Sequence, residues 1–178
     1  MRMILTLLFM ATAAGAEQML IEDFNDDARE RWRYTSDRVM GGVSEGSAGL
    51  GREGDMTFAQ LRGTVSTANN GGFLQIRTTL AETLPDTTKG VSLRLRGNGA
   101  RYYIHLGPVT ARRPWQFYQA AFETDGTWQD IALPWADFAP QGGLSAQFRP
   151  SDIRSLGIVA YGDDYEAALD VDWVATID

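Results

Sequence analysis

The sequence predicts an all-β domain, a jelly-roll β-sandwich of two packed sheets, and three observations carry that expectation. From Met56 onward the chain is a series of short segments rich in β-branched and aromatic residues, separated by turn residues. No window sustains helical periodicity. No self-similarity recurs at a period of about 20 to 50 residues, which argues against propellers and solenoids.

The elements follow in order. Strands are expected at Met19 to Phe24, Met56 to Leu61 and Phe73 to Leu80. Val91 to Arg96, the Gly97-Asn98-Gly99 turn and Tyr102 to Leu106 read as a first hairpin. Trp115 to Glu123, Asp125-Gly126 and Trp128 to Leu133 read as a second, since Asp-Gly is a preferred type I′ pair. Leu156 to Tyr161 and Ala167 to Val174 complete the strands, and only Ala136 to Phe138 and Ser151 to Ser155 suggest a helical turn. Gly41 to Asp55, with six glycines, reads as a long loop.

Residues 1–16 have the layout of a secretory signal: Arg2, an apolar run from Ile4 to Ala14, and Ala14-Gly15-Ala16 as a cleavage site. The run is well short of the roughly 20 residues that span a membrane, so cleavage rather than anchoring is expected. The expected product is a single domain over residues 17–178, periplasmic or secreted and not membrane-spanning. The chain has no cysteine, so disulfides, thiolate chemistry and lipid attachment through cysteine are excluded. A net charge of −7 disfavours nucleic acid and anionic lipid surfaces as partners.

Two catalytic expressions match and fail on context. Gly42-Val43-Ser44-Glu45-Gly46 satisfies G-x-S-x-G, but the glycine-rich residues after it cannot form the helix a nucleophile elbow needs. Gly49 to Gly54 satisfies G-x-G-x-x-G but leads into the strand-like Met56-Thr57-Phe58, with no helix N-terminus for a pyrophosphate. A glycan-cleaving enzyme needs two carboxylates about 5 to 9.5 Å apart. The sequence selects no such pair among 23 Asp and Glu.

His105 is the only histidine, which rules out a multi-imidazole metal site. Asp170 and Asp172 share the outer side of the last strand, where a solvated face accounts for them. The alternative is a structural calcium completed by Glu22 or Asp23. No cofactor or metal is expected on balance.

A filled jelly roll binds ligands on an outer sheet face or at loop ends. If Leu74 and Ile76 point inward, then Phe73, Gln75 and Arg77 face outward, and the same alternation exposes Tyr103 and His105. Rings, amides and a guanidinium on one face suit a sugar, although the polar groups also serve simply to keep the face wet. Trp115 and Tyr118, with Phe117 inward, form a second aromatic candidate beside a core role. Trp32, Trp128, Trp135 and Trp173 are read as core or packing residues.

The most distinctive stretch is Ser36-Asp37-Arg38-Val39-Met40-Gly41-Gly42-Val43-Ser44-Glu45, followed by Asn69-Asn70-Gly71-Gly72-Phe73. Glycine pairs beside a carboxylate and a guanidinium mark tight turns or close approaches. Two readings stand: a buried Arg38 fork holding the Asn70 carbonyl and locking the loop, or a ligand or partner surface of Asp37, Arg38, Asn69 and Asn70.

These two motifs resemble the complex I intermediate-associated protein 30 family, and the resemblance runs from about Phe24 to Trp173. It implies a galactose-binding-like jelly roll and a binding or assembly role rather than catalysis. Assembly of the respiratory NADH:quinone oxidoreductase is a matrix-side task, which an exported chain does not match in location. The expectation is a non-catalytic domain acting in the cell envelope on a protein partner, with a carbohydrate-binding module as the alternative.

Overall fold

The computed structural model describes residues 18–178, so the secretory signal expected over residues 1–16 lies outside the described residues. Twelve strands form two six-stranded sheets. The first sheet contains β1 (Leu20–Glu22), β3 (Glu45–Glu53), β4 (Met56–Val65), β6 (Gly90–Arg96), β9 (Gln129–Pro134) and β12 (Tyr165–Ile177). Its order is β3-β4-β12-β6-β9, with β1 also on β12. The second contains β2 (Arg33–Ser36), β5 (Phe73–Thr79), β7 (Arg101–Pro108), β8 (Tyr118–Glu123), β10 (Ala139–Pro140) and β11 (Ile153–Tyr161), in the order β10-β8-β7-β11-β5-β2. All the pairings are antiparallel. One short helix, α1 (Ala28–Arg31), precedes β2.

Alternation builds the core as expected. Leu61, Leu74, Leu93, Leu95, Ile104, Leu106, Leu156, Ile158 and Val174 are buried in one cluster. Each such side chain contributes about 1.5–3 kcal/mol when fully removed from water. Tyr102 lies inside without a penalty for its hydroxyl, which donates to Asn98 Oδ1 at 2.8 Å and accepts from the Ala168 N–H at 2.8 Å.

Neither expected hairpin forms. β6 pairs with β12 and β9, whereas β7 pairs with β8 and β11, so the Gly97–Gly99 turn carries the chain from one sheet to the other. The Asp125-Gly126 turn likewise joins β8 to β9 across the sandwich. Period-two alternation reports that one face is buried, and it is silent about which strand lies alongside. The two crossings are laced together: Gly97 N–H donates to the Asp125 carbonyl at 2.8 Å, and Thr124 Oγ1 donates to the Ala100 carbonyl at 2.8 Å.

The expected long loop Gly41 to Asp55 is mostly strand β3, paired with β4 from Glu45↔Thr64 to Glu53↔Met56. Its glycines answer to close approach rather than to flexibility. A Cβ at Gly46 would overlap the Arg62 carbonyl, and one at Gly51 would come within 2.5 Å of the Phe58 ring.

Gly46→Ala is expected to destabilise the domain by about 1–3 kcal/mol, the usual range for forcing an extra group into a packed site. A urea-unfolding midpoint comparison checks it, and an unchanged midpoint contradicts the close approach of β3 to β4.

Candidate functional site

Asp37 opens a 3-10 turn, Asp37–Met40, directly after β2, and its carboxylate is fully buried. It accepts from Ser44 N–H at 3.0 Å, Ser44 Oγ at 2.5 Å and Gly72 N–H at 2.5 Å, with a longer contact to Phe73 N–H at 3.4 Å. Ser44 Oγ in turn accepts from Ser66 N–H at 2.9 Å. Two chain segments, at Ser44 and at Gly72–Phe73, therefore converge on one carboxylate, and Ser44 ties in a third at Ser66. Burial works to raise its pKa, but the donors from Ser44, Gly72 and Phe73 hold it below the ordinary aspartate range.

The glycines of the two motifs are explained by this acid. A Cβ on Gly42 would overlap the Asp37 carboxyl carbon, and one on Gly71 would overlap Asp37 Oδ2. The lock is thus Asp37, not the expected Arg38 fork. Arg38 is exposed and pairs with the equally exposed Glu45 at 2.8 Å, while Asn69 and Asn70 sit exposed in left-handed backbone at φ 58°. Ser44 is sealed by the same lock, with 0% exposure, which removes it as a nucleophile.

The outer face of the second sheet collects the other candidates. Strand register places Gln75, Val159, Tyr103 and Ala121 in one row, and Arg77, Gly157, His105 and Gln119 in the next. Phe117 stacks on His105 with ring centroids 3.8 Å apart and planes 12° from parallel. Tyr161 meets Tyr103 and His105 edge-on, each at 5.7 Å. Gln119 Nε2 donates to His105 Nε2 at 2.8 Å, which leaves the imidazole proton on Nδ1. Burial, then the nearby positive Arg77, pushes the His105 pKa down to about 3, so the ring is neutral at physiological pH.

Arg77 lies on this face, close over Gly107. Its Nε and Nη2 donate to Ser155 Oγ at 3.2 and 2.6 Å. A Cβ on Gly107 would come within 2.7 Å of Arg77 Nη2. The resulting surface combines aromatic edges and faces with two amides and a guanidinium, and nothing in it is a nucleophile aligned with a base.

Tyr118 belongs elsewhere. It points inward, 3% exposed, against Phe148, and donates to the Ser145 carbonyl at 2.9 Å, which removes it from a ligand face. Phe117 takes the outward position instead, because the inward parity of β8 runs through Tyr118, Ala120 and Phe122. Trp115 is 54% exposed beside Arg113. Phe117, Gln119, Ser155 and Tyr161 are additions to the expected set. Tyr161 was readable from the inward Ile158 and Ala160, whereas Gln119 required knowing that β8 pairs with β7.

The outer face of the first sheet is different in kind. Asp170 there is held by Arg62 and by Arg96 Nε, the latter at 2.8 Å, and Gln60 adds a contact at 3.3 Å. Arg96 also pairs with Glu53 and lies 4.6 Å from the Trp128 ring centroid. Glu22 is bound by Arg31 and by the Trp32 indole N–H at 2.8 Å. Of the carboxylates considered for calcium, Asp170, Asp172 and Glu22 are thus engaged by arginine or indole, and no cluster of three or more potential metal ligands occurs among the described residues.

The two packed antiparallel sheets define the chain as a β-sandwich of jelly-roll type. The chain is a member of the complex I intermediate-associated protein 30 family, whose model matches residues 22–171. No curated protein matches it in sequence. Among solved structures, the family 11 carbohydrate-binding module of a cellulosomal cellulase from Clostridium thermocellum superposes with TM-score 0.74 at 15% identity, covering 92% of this chain and 96% of the module. The same kind of module in complex with a β-1,3-1,4-mixed-linked tetrasaccharide gives 0.73 at 15% identity, covering 92% and 97%. An exo-β-agarase matches at 0.61 and 8% identity over 91% of this chain and 25% of its own length. At these identities the likeness establishes the fold.

Asp37→Ala leaves buried Ser44 and Gly72 N–H groups without acceptors and is expected to cost about 3 kcal/mol, seen as a lowered denaturant midpoint. Because the folded pKa of Asp37 is depressed, its contribution is present above the ordinary aspartate value of 3.8 and is lost as pH falls below it. His105 acts in a second window. Its folded pKa lies below 6.5, so the unfolded chain takes up a proton first and stability declines from pH 6.5 toward 3, with a slope of up to about 1.4 kcal/mol per pH unit. Stability curves of His105→Gln are expected to lose that slope while keeping the one below pH 4.

Proposed function

We propose that this chain is a non-catalytic binding module and that its ligand is a glycan chain lying along the outer face of the second sheet. The observation that carries the reading is the row of Tyr103, His105, Phe117 and Tyr161 beside Gln75, Gln119 and Arg77 on one uncovered face. Sugar C–H faces stack on rings while hydroxyls exchange hydrogen bonds with amides and guanidinium groups. The neutral imidazole adds a second ring to the platform without the hydration of a charge.

A shared fold with carbohydrate-binding modules supports this reading only by analogy, and the face itself is the stronger support. The secretory layout of residues 1–16 extends it to the cell envelope, where glycans are abundant. A protein partner is the second reading. Val39, Met40 and Val43 are 74%, 64% and 44% exposed at the tip that Asp37 anchors, an apolar cluster of the sort partners cover. The glycan reading ranks first because its face combines stacking and hydrogen-bonding groups, whereas the tip is small.

Calorimetric titration of residues 17–178 with neutral β-linked gluco-oligosaccharides tests the proposal. Saturable binding is expected, with Phe117→Ala and Tyr161→Ala each weakening it about three- to tenfold. A panel of such glycans giving no heat, together with capture of a protein partner lost in Val39→Asp, would transfer the function to the apolar tip.

A further inference from the structure

Resting on the glycan reading, we infer that the same face selects an acidic sugar, a ring bearing a carboxylate, which docks on Arg77 while neighbouring neutral sugars stack on the aromatic row. Arg31, Arg62, Arg94 and Arg96 each pair with carboxylates, whereas Arg77 has no such partner among the described residues. Its contact is the Ser155 hydroxyl, an uncharged group. Ser155 takes the Nε–Nη2 edge of the fork and leaves Nη1 and one Nη2 hydrogen without hydrogen bonds. That free end presents two parallel donors, which is the geometry a carboxylate accepts in bidentate fashion.

A second observation points the same way. Arg33 on β2 stands directly opposite Arg77 in the β2–β5 register, on the same face. Like charges placed opposite one another destabilise a strand pair. Arg33 is likewise without a carboxylate partner among the described residues, its recorded contact being the Arg29 carbonyl at 3.0 Å. A bound anion removes that repulsion. Burial lowers the Arg77 pKa, and no acidic neighbour acts to raise it.

The rest of the molecule limits how acidic the ligand is. A net charge of −7 repels a run of negative charge at long range, so one guanidinium pair in an acidic protein suits isolated carboxylates spaced along an otherwise neutral chain, not a polyanion. Arg77 and His105 flank Gly157 in the strand register, so an acidic ring docked on Arg77 places the next ring at the His105–Phe117 stack.

A matched pair of probes decides it: a neutral β-linked gluco-tetrasaccharide and the same tetrasaccharide with one glucuronate. Isothermal titration at fixed salt is expected to show the acidic probe binding about tenfold or more tighter, as charge-assisted hydrogen bonds supply. Arg77→Gln is expected to abolish the preference, and Arg77→Lys, which keeps the charge but not the fork, to retain part of it. The wild-type pair alone decides the matter if a variant does not fold, with Arg33→Gln as a second probe of the positive end. Equal binding of the two sugars overturns the acidic-sugar inference and leaves the glycan reading standing. A preference that survives Arg77→Gln overturns the assignment to this arginine. Binding of neither probe overturns both.

Discussion

The buried carboxylate of Asp37 is the constraint on which the arrangement of this surface depends. It ties the end of β2 to Ser44 just before β3 and to the Gly72–Phe73 entry of β5. Gly72 also passes the constraint on, since its carbonyl accepts from Gly162 N–H at 2.9 Å just beyond β11. The strands that carry Arg33, Gln75, Arg77 and Tyr161 thus start or end at one fixed point. An ionised acid buried this deeply is tolerated because hydroxyl and backbone donors replace water around it.

The two outer faces of the sandwich show how charge is distributed when it serves packing and when it is left open. On the first sheet, Arg62 and Arg96 share Asp170, Glu53 completes the group, and Phe58 and Trp128 flank Arg96. Arginine there is consumed by the protein. On the second sheet a guanidinium whose contact is a serine hydroxyl shares the face with the His105–Phe117 stack. Polar groups left with free valences beside exposed rings are what a polar, ring-shaped ligand requires.

Much of this was legible in the sequence, and the exceptions share a physical cause. The outward placement of Gln75, Arg77, Tyr103 and His105 followed from alternation, because a strand with one buried face leaves its parity no freedom. The hairpins failed because neighbour choice is a long-range property, and a Gly-rich turn between alternating segments serves a sheet-to-sheet crossing equally well. β3 was hidden by glycines that permit close contact with β4 instead of loosening the chain. Asp37 and Arg38 are adjacent and equally polar. Which one turns inward is decided by where Ser44 and Gly72 converge, and composition does not report that. Tyr118 and Phe117 exchanged places because the buried parity of β8 is set by Tyr118, Ala120 and Phe122, all of which pack inward.

Residue-resolved NMR of residues 17–178 during titration with a β-linked oligosaccharide tests the central claim most directly. The account predicts that shift changes concentrate at Gln75, Arg77, Tyr103, His105, Phe117, Gln119 and Tyr161, with the Arg62–Asp170–Arg96 face unmoved. Changes confined to that opposite face, or to the Val39–Val43 tip, would contradict it.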